Sequence, residues 1–457
     1  MLRSFRKLKT PALCLALVLA VASPVASAWG NHTLAAYRAL EGLPEVAKAA
    51  PVVAEPLEVF VKAQERAIEA LLREQEIWAI SHVNAYPPRP TALAFAADAS
   101  RSDEARRKAF FMALRIAANS KFTLYFQDDV KNQAKPADVS PALGNEDIST
   151  LPSSRASPHK YFPLKAGDKV APLQVVASAS YEPDYGLDIN VWEDSPGDWG
   201  KLYGFGKLPF GNPRLSFSTQ APFHMGFYHE DRILYLAAPF LKRTFPLLRV
   251  NQYAGLAALA FKTGHDYWGW RFTGLALHYV QDMTQPYHAN LSPGSSTTGL
   301  LLTNAMAMGG FPKKRDETIT LLSNRHLALE NYQGRILQQA NSSGSVLAVN
   351  QALSNPATDA KYPAWSPFYV RDVVAKESYD YGAQLANHIV EAMPGAYVSD
   401  PKFDFGAQGE GIDLPSELAK QEARKRAALE TSVVELMGRF GAHSRNAVRG
   451  ILKAAGK

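Results

Sequence analysis

Cysteine is almost missing from this chain: Cys14 is the only one in 457 residues. A single thiol excludes any disulfide within the chain. Long apolar runs are lacking too. The one candidate, from about Pro11 to Ala22, is too short for a convincing membrane span. No Leu-x-x-Cys lipoprotein site occurs, because Cys14 lies inside that apolar run. Nor does one sign of charge dominate: 49 Lys and Arg face 43 Asp and Glu, a formal net charge of +6. Four of the basic residues, Arg3, Arg6, Lys7 and Lys9, sit at the front, and without them the balance falls from +6 to +2. Near-neutrality gives no electrostatic case for nucleic-acid binding. Internal repeats and low-complexity tracts are absent as well.

What is present begins at the front. Basic residues, a short apolar run and the small residues Ala26-Ser27-Ala28 together read as a secretory signal peptide, residues 1–28, cleaved after Ala28. The mature chain would then start Trp29-Gly30-Asn31-His32 and be secreted or periplasmic. Its 429 residues, from a chain with 47% hydrophobic residues, suffice for one large domain or two smaller ones.

Leu275–His288, LALHYVQDMTQPYH, is the most informative stretch. His278 and Asp282 are four residues apart and stack on one face of a helix. Pro286 cannot continue that helix, so the chain turns and offers His288 from the loop. A second stacked pair, His326 and Glu330, occurs downstream in NRHLALENY. A lone His-x3-acid pair is most often a surface or core contact. Two such clusters within a few dozen residues favour a metal site, and the mixture of imidazole and carboxylate suits zinc better than magnesium or calcium.

Apolar periodicity and chain breakers predict helices over Glu55–Ile80, Asp103–Tyr125 (capped by Ser102), Arg232–Leu241, Leu247–Lys262, Tyr267–Asp282, Tyr332–Gln351, Val370–Glu391 and Leu414–Lys453. Lys131–Lys169 and Leu291–Arg315 read as loops, and Asp194–Pro222 as an irregular lobe. The basic, amphipathic last helix is expected to dock with its cationic face in solvent, although such helices also bind anionic membrane surfaces. His82, His159, His265, His388 and His443 stand apart from other ligand types and read as structural.

With the freed Trp29 at its start, the pattern resembles the zinc-dependent phospholipase C / S1–P1 nuclease superfamily, in its bacterial phospholipase C branch. ALHYVQDMTQPYH is similar to that family's His-Tyr-x-x-Asp signature with its later His. His326-x3-Glu330 resembles its last ligand pair, and Glu182-Pro183-Asp184-Tyr185 its Pro-Asp-Tyr element. His224 in PFHMGFYHED resembles the family's His before an aromatic and acidic run; His229 fits the same run, so both stay open. The resemblance implies three zinc ions held by Trp29, His32, Asp184, His224, His278, Asp282, His288, His326 and Glu330, with Asp282 bridging two of them. His32 lies closer to Trp29 than the family spacing, and the 155 residues from Trp29 to Asp184 exceed that of compact members.

The same resemblance implies an all-α fold, a zinc-dependent helical domain over 29–335 with an insertion at about 43–175, and a helical C-terminal extension over 336–457 packed on it. The implied activity is a secreted, monomeric phospholipase C. It would hydrolyse glycerophospholipids, phosphatidylcholine foremost, at a membrane surface, giving diacylglycerol and the phosphorylated head group. Asp184 would serve as general base or metal ligand, and Tyr185 as an aromatic wall for choline through cation–π attraction. A nuclease or nucleotidase on the same fold is the rival, the one case in which nucleic acid would be a partner. Glu330, Tyr185 and the Trp-Gly-Asn-His start favour the lipase. A secreted zinc- or membrane-binding protein without turnover is the third reading.

Overall fold

The structure, a computed structural model, describes residues 30–127, 143–151, 159–343 and 347–457. The chain is all-α. Strands among the described residues form only two short antiparallel pairs, Val52–Val53 with Lys169–Val170 and Tyr125–Gln127 with Tyr161–Pro163.

The architecture is built around the helix Asp266–Asp282. Every residue from Tyr267 to Asp282 is buried, so this helix has no solvent face and must be covered on all sides. Pro246–Lys262 covers one side, joined to it by a three-residue turn in which Gly264 adopts a φ of +81°. Pro172–Ala179 and the terminal helix Ala423–Ala455 cover the others. The first helix, His32–Leu40, fills the corner between those last two. One apolar core runs through all of them, from Leu34 to Ala455. Residue 335, expected to end the first domain, lies inside the continuous helix Lys313–Ser343.

Several expected elements have different bounds. Glu55–Ile80 is two helices, Leu57–Ala63 and Glu65–His82, broken at Gln64. Ser102 caps the next helix by accepting from the Ala105 amide, but that helix ends at Leu114 and does not reach Tyr125. Arg115 takes a left-handed conformation there, φ +54°, and turns its guanidinium inward against the Phe205 ring. Leu291–Arg315 contains the helix Thr297–Met308, capped by the Ser296 hydroxyl on the Gly299 amide. Its Ser, Thr and Gly residues are cap and first-turn residues, which composition alone assigns to a loop. The range expected as the helix Tyr332–Gln351 divides between Lys313–Ser343 and Ala348–Ser354. The loop expected at Lys131–Lys169 lies partly outside the described residues; within it, Asn145–Ile148 is helical and Tyr161–Pro163 a strand. The terminal helix docks, as its amphipathic pattern requires, burying Leu429, Val433, Leu436, Phe440, Val448 and Ile451.

Gly274 sets how closely the central helix can be approached. A Cβ there would lie 2.5 Å from the Ala179 Cβ and 2.6 Å from the Val176 carbonyl oxygen. Only the missing side chain lets Pro172–Ala179 come this near and deliver the segment Ser180–Tyr185 to the central helix. Gly274→Ala is expected to lower unfolding stability by about 1–3 kcal/mol through overpacking. A denaturation midpoint equal to the parent's would contradict the close-packing account.

Candidate metal centre

Three groups of ligand-type side chains converge among the described residues: His32, His278 and Asp282; Asp184, His224 and His278; and His288, His326 and Glu330. Within each group the ligand atoms lie within 4.8 Å of one another. Together they contain all eight ligand candidates of the described chain. Trp29 lies outside the described residues.

Local structure explains the convergence. His278 and Asp282 face the same way because they are one helical turn apart, with His278 Nε2 3.3 Å from Asp282 Oδ2. Pro286 starts a new short helix, Pro286–Ala289, which turns His288 back toward the end of the signature helix. His288 Nδ1 lies 3.6 Å from Asp282 Oδ1. On the long helix, His326 Nε2 and Glu330 Oε1 are 2.8 Å apart, and His288 Nε2 is 3.2 Å from the same oxygen. Asp184 arrives on the turn Glu182–Tyr185, where the buried ion pair of Glu182 with Arg271 pins the turn to the central helix. Asp184 Oδ1 is then 3.7 Å from His224 Nδ1 and 3.8 Å from His278 Nε2.

Asp282 occupies the middle. Its Oδ2 is 3.0 Å from His224 Nδ1, and its Oδ1 is 3.5 Å from His32 Nε2. One carboxylate thereby faces histidines of two groups with its two oxygens.

Outer contacts fix which nitrogen each histidine turns inward, the tautomers being set by the hydrogen-bond network. His278 donates Nδ1–H to the Ser180 carbonyl at 2.8 Å, and His288 donates Nδ1–H to the His224 carbonyl at 2.9 Å. His32 Nδ1 lies 2.8 Å from Gln281 Oε1, whose amide nitrogen in turn reaches Ser444 on the terminal helix. Each contact leaves Nε2 as the inward nitrogen, the arrangement that orients metal-ligating imidazoles. His224 is turned the other way: its Nε2 lies 3.6 Å from Asp188 Oδ2, so Nδ1 points inward. Asp188 is itself held by Arg249 at 2.7 Å and by the Tyr279 hydroxyl at 2.6 Å.

Asp188 is a residue of the candidate site that sequence reasoning misses. Its one signal is its position four residues after Asp184. Gln281 and the Ser180 carbonyl leave no signal at all, since an amide beside a signature histidine and a backbone oxygen carry no motif. The choice between His224 and His229 is made by position: His229 turns away and bonds to the Arg371 carbonyl at 2.8 Å. His265 is also elsewhere, paired with Glu55. Tyr185 is buried in a cluster with Tyr125, Ile148, Tyr161 and Tyr181, and its hydroxyl donates to Gln127 at 2.5 Å.

A cation fits this donor set. Both oxygens of Asp184 and Oδ1 of Asp282 are buried without a hydrogen-bond partner, a costly condition for a carboxylate unless a charge completes it. Burial pushes the Asp184 carboxyl up to about 7, against the pull of His224 and His32. Burial would lower the His224 imidazole, yet the acceptors Asp188 and Asp282 raise it to about 10. Burial likewise opposes ionisation of Glu330, but His326 and His288 bring it down to about 2. The raised values of Asp184 and His224 mark protons that a bound cation would replace. Searches with this chain match no protein-family model, no curated protein and no solved structure.

Metal binding must displace those protons, so affinity should rise with pH through about 7, where Asp184 gives up its proton. A pH-independent affinity between weakly acid and weakly alkaline buffer would contradict this. Because Asp282 faces two groups, Asp282→Asn should remove more than one equivalent of bound metal, and His326→Ala about one. His265→Ala should keep its full content. Metal analysis with circular dichroism on the three variants checks this; full metal in Asp282→Asn would remove the shared role of that carboxylate.

Proposed function

We propose that this chain is a secreted, zinc-dependent phosphodiesterase of the phospholipase C type, acting on glycerophospholipids. The observation that carries the reading is Asp282, a buried carboxylate flanked by ligand groups on both sides. It stands in the same order along the chain, His278, Asp282, His288, His326 and Glu330, that the superfamily resemblance implies. We assign three zinc ions to the three groups, with Trp29 completing the group of His32 through its freed amino terminus.

Zinc held there would supply Lewis-acid chemistry, lowering the pKa of water and offsetting charge on phosphate oxygens. The remaining contributions are the chain's own. Asp184 stands among the ligands of the second group, so it is assigned first to holding an ion. The carbonyls of Ser180 and His224 keep His278 and His288 from rotating, which preserves spacing when substrate arrives. Asp188 does the same for His224. Of the eight ligand candidates only His326 is not buried, with 18% of its side chain exposed, so substrate phosphate would approach from the side of His288, His326 and Glu330. Tyr185, inside its aromatic cluster, is assigned to recognition of choline only if that cluster opens toward the site.

The lipase reading is preferred to the nuclease on Glu330, on Tyr185 and on a near-neutral net charge that gives no electrostatic case for a polynucleotide. Purified mature protein should release phosphocholine from phosphatidylcholine, lose that activity to a chelator and regain it with zinc. Single-stranded DNA and 3′-nucleotides assayed in parallel should be turned over poorly. Strong DNA cleavage without lipid hydrolysis would transfer the assignment to the nuclease, and chelator-insensitive inertness on every substrate would leave a non-catalytic binding protein.

A further inference from the structure

The helix Thr297–Met308 lies in the chain between the two ligand pairs, and its exterior is unusual. Leu291–Pro312 contains no charged residue. Leu302, Ala305 and Met306 recur at helical spacing and are exposed, Leu302 to 63%. They form one apolar face on this helix. At the end of this helix Phe311 is 70% exposed. The neighbouring helix Arg232–Ala237 adds Ile233 and Leu236, the latter 81% exposed. The two helices pack together, and the Thr297 hydroxyl bonds to the Asp231 carboxylate. Exposed apolar residues scattered singly are ordinary, whereas contiguous ones rimmed by polar groups mark a contact surface.

The rim gives the partner's charge. Arg232, Lys242 and Lys314 border the apolar face and make no ion pair among the described residues. Of the acids nearby, Asp316 pairs with Arg315 and Glu317 with Lys313, while Asp231, next to Arg232, accepts from the Thr297 hydroxyl. Apolar side chains flanked by cations without ion-pair partners match the interfacial layer of a membrane carrying anionic lipid. No helix among the described residues is long and apolar enough to cross a membrane, so the match is to its surface. Position ties this face to the metal centre. Leu291, three residues after His288, donates its amide to Glu230 at 2.7 Å, which fixes the start of the segment. The helix Thr297–Met308 then packs on Lys313–Ser343, the helix that carries the partly exposed His326.

We propose that Leu302, Met306, Phe311, Ile233 and Leu236 form a docking face for an anionic phospholipid bilayer, seating the open side of the metal centre against the lipid. This deepens the phospholipase reading and rests on it for its purpose, but its test does not need turnover. Full-length mature protein with its metals in place is sedimented with vesicles of phosphonate analogues of phosphatidylglycerol and phosphatidylcholine, which resist hydrolysis. The parent should bind the mixed anionic vesicles and bind pure phosphatidylcholine analogue more weakly. The double variant Leu302→Glu/Met306→Glu should bind at least about tenfold more weakly, since each residue removes an apolar burial. It should keep the parent's circular dichroism, melting temperature and rate on a soluble monomeric phosphodiester, because both side chains are exposed. Equal vesicle binding by parent and variant would overturn the proposal. So would a parent dimer in gel filtration that the variant splits to monomer without any effect on vesicles, which would make a second copy the occupant. Vesicle binding through this face by a protein that hydrolyses no phospholipid would keep the surface and overturn the lipase assignment.

Discussion

The candidate metal centre depends on one electrostatic constraint, a carboxylate buried at the wrong end of a helix. Asp282 is the last residue of the helix Asp266–Asp282 and is fully buried. A helix C-terminus carries partial negative charge, so an anion there is disfavoured even before desolvation is counted. Burial would raise the Asp282 carboxyl, yet His278 and His288 hold it well below the usual carboxylate range. Of the imidazoles around it, burial lowers His278 and His32, whereas against the same burial the carboxylate partners raise His224 and His288. With all of these imidazoles neutral, the same geometry requires cations, and the three ligand groups are where cations would fit.

That constraint spreads outward through the packing. An imidazole is a useful ligand only if the right nitrogen faces the ion, and here the orientation comes from elements distant in sequence. Ser180 is delivered by the close approach at Gly274, the His224 carbonyl by the short helix Ala221–His224, and Gln281 is steadied by Ser444 near the chain's end. Asp188 depends on Arg249, whose guanidinium also binds the carbonyls of Leu114 and Arg115. The left-handed turn at Arg115 that ends a surface helix therefore connects, in two steps, to His224 of the candidate metal centre. Leu114 and Arg115, within the long segment between Trp29 and Asp184, are consequently part of what braces the site.

How much of this can be read in the sequence depends on what each feature consists of. The central helix is legible within a residue, because apolar and aromatic residues fill most of its length and Pro286 prevents its continuation. The stacked pairs are legible because a four-residue spacing is itself a geometric statement. His32 joins the cluster despite its short spacing from Trp29, since the first helix begins at His32 and buries it at once. The break at Gln64 and the stop at Leu114 are not legible, as no glycine or proline marks either place. Thr297–Met308 reads as a loop because its capping residues look like loop residues. Asp188 and Gln281 are hidden for a different reason: their roles exist only once four separate segments have been brought together.

The central claim is that the three convergent groups hold metal ions, with Asp282 shared between two of them. Crystals of the mature protein grown with zinc, measured on both sides of the zinc absorption edge, address this most directly. The account predicts three anomalous peaks, one in each ligand group, with Asp282 oxygens within coordination distance, about 2.0–2.2 Å, of two of them. Absence of peaks from the groups of His32, His224 and His288, in a protein that retains these side chains in place, would contradict it.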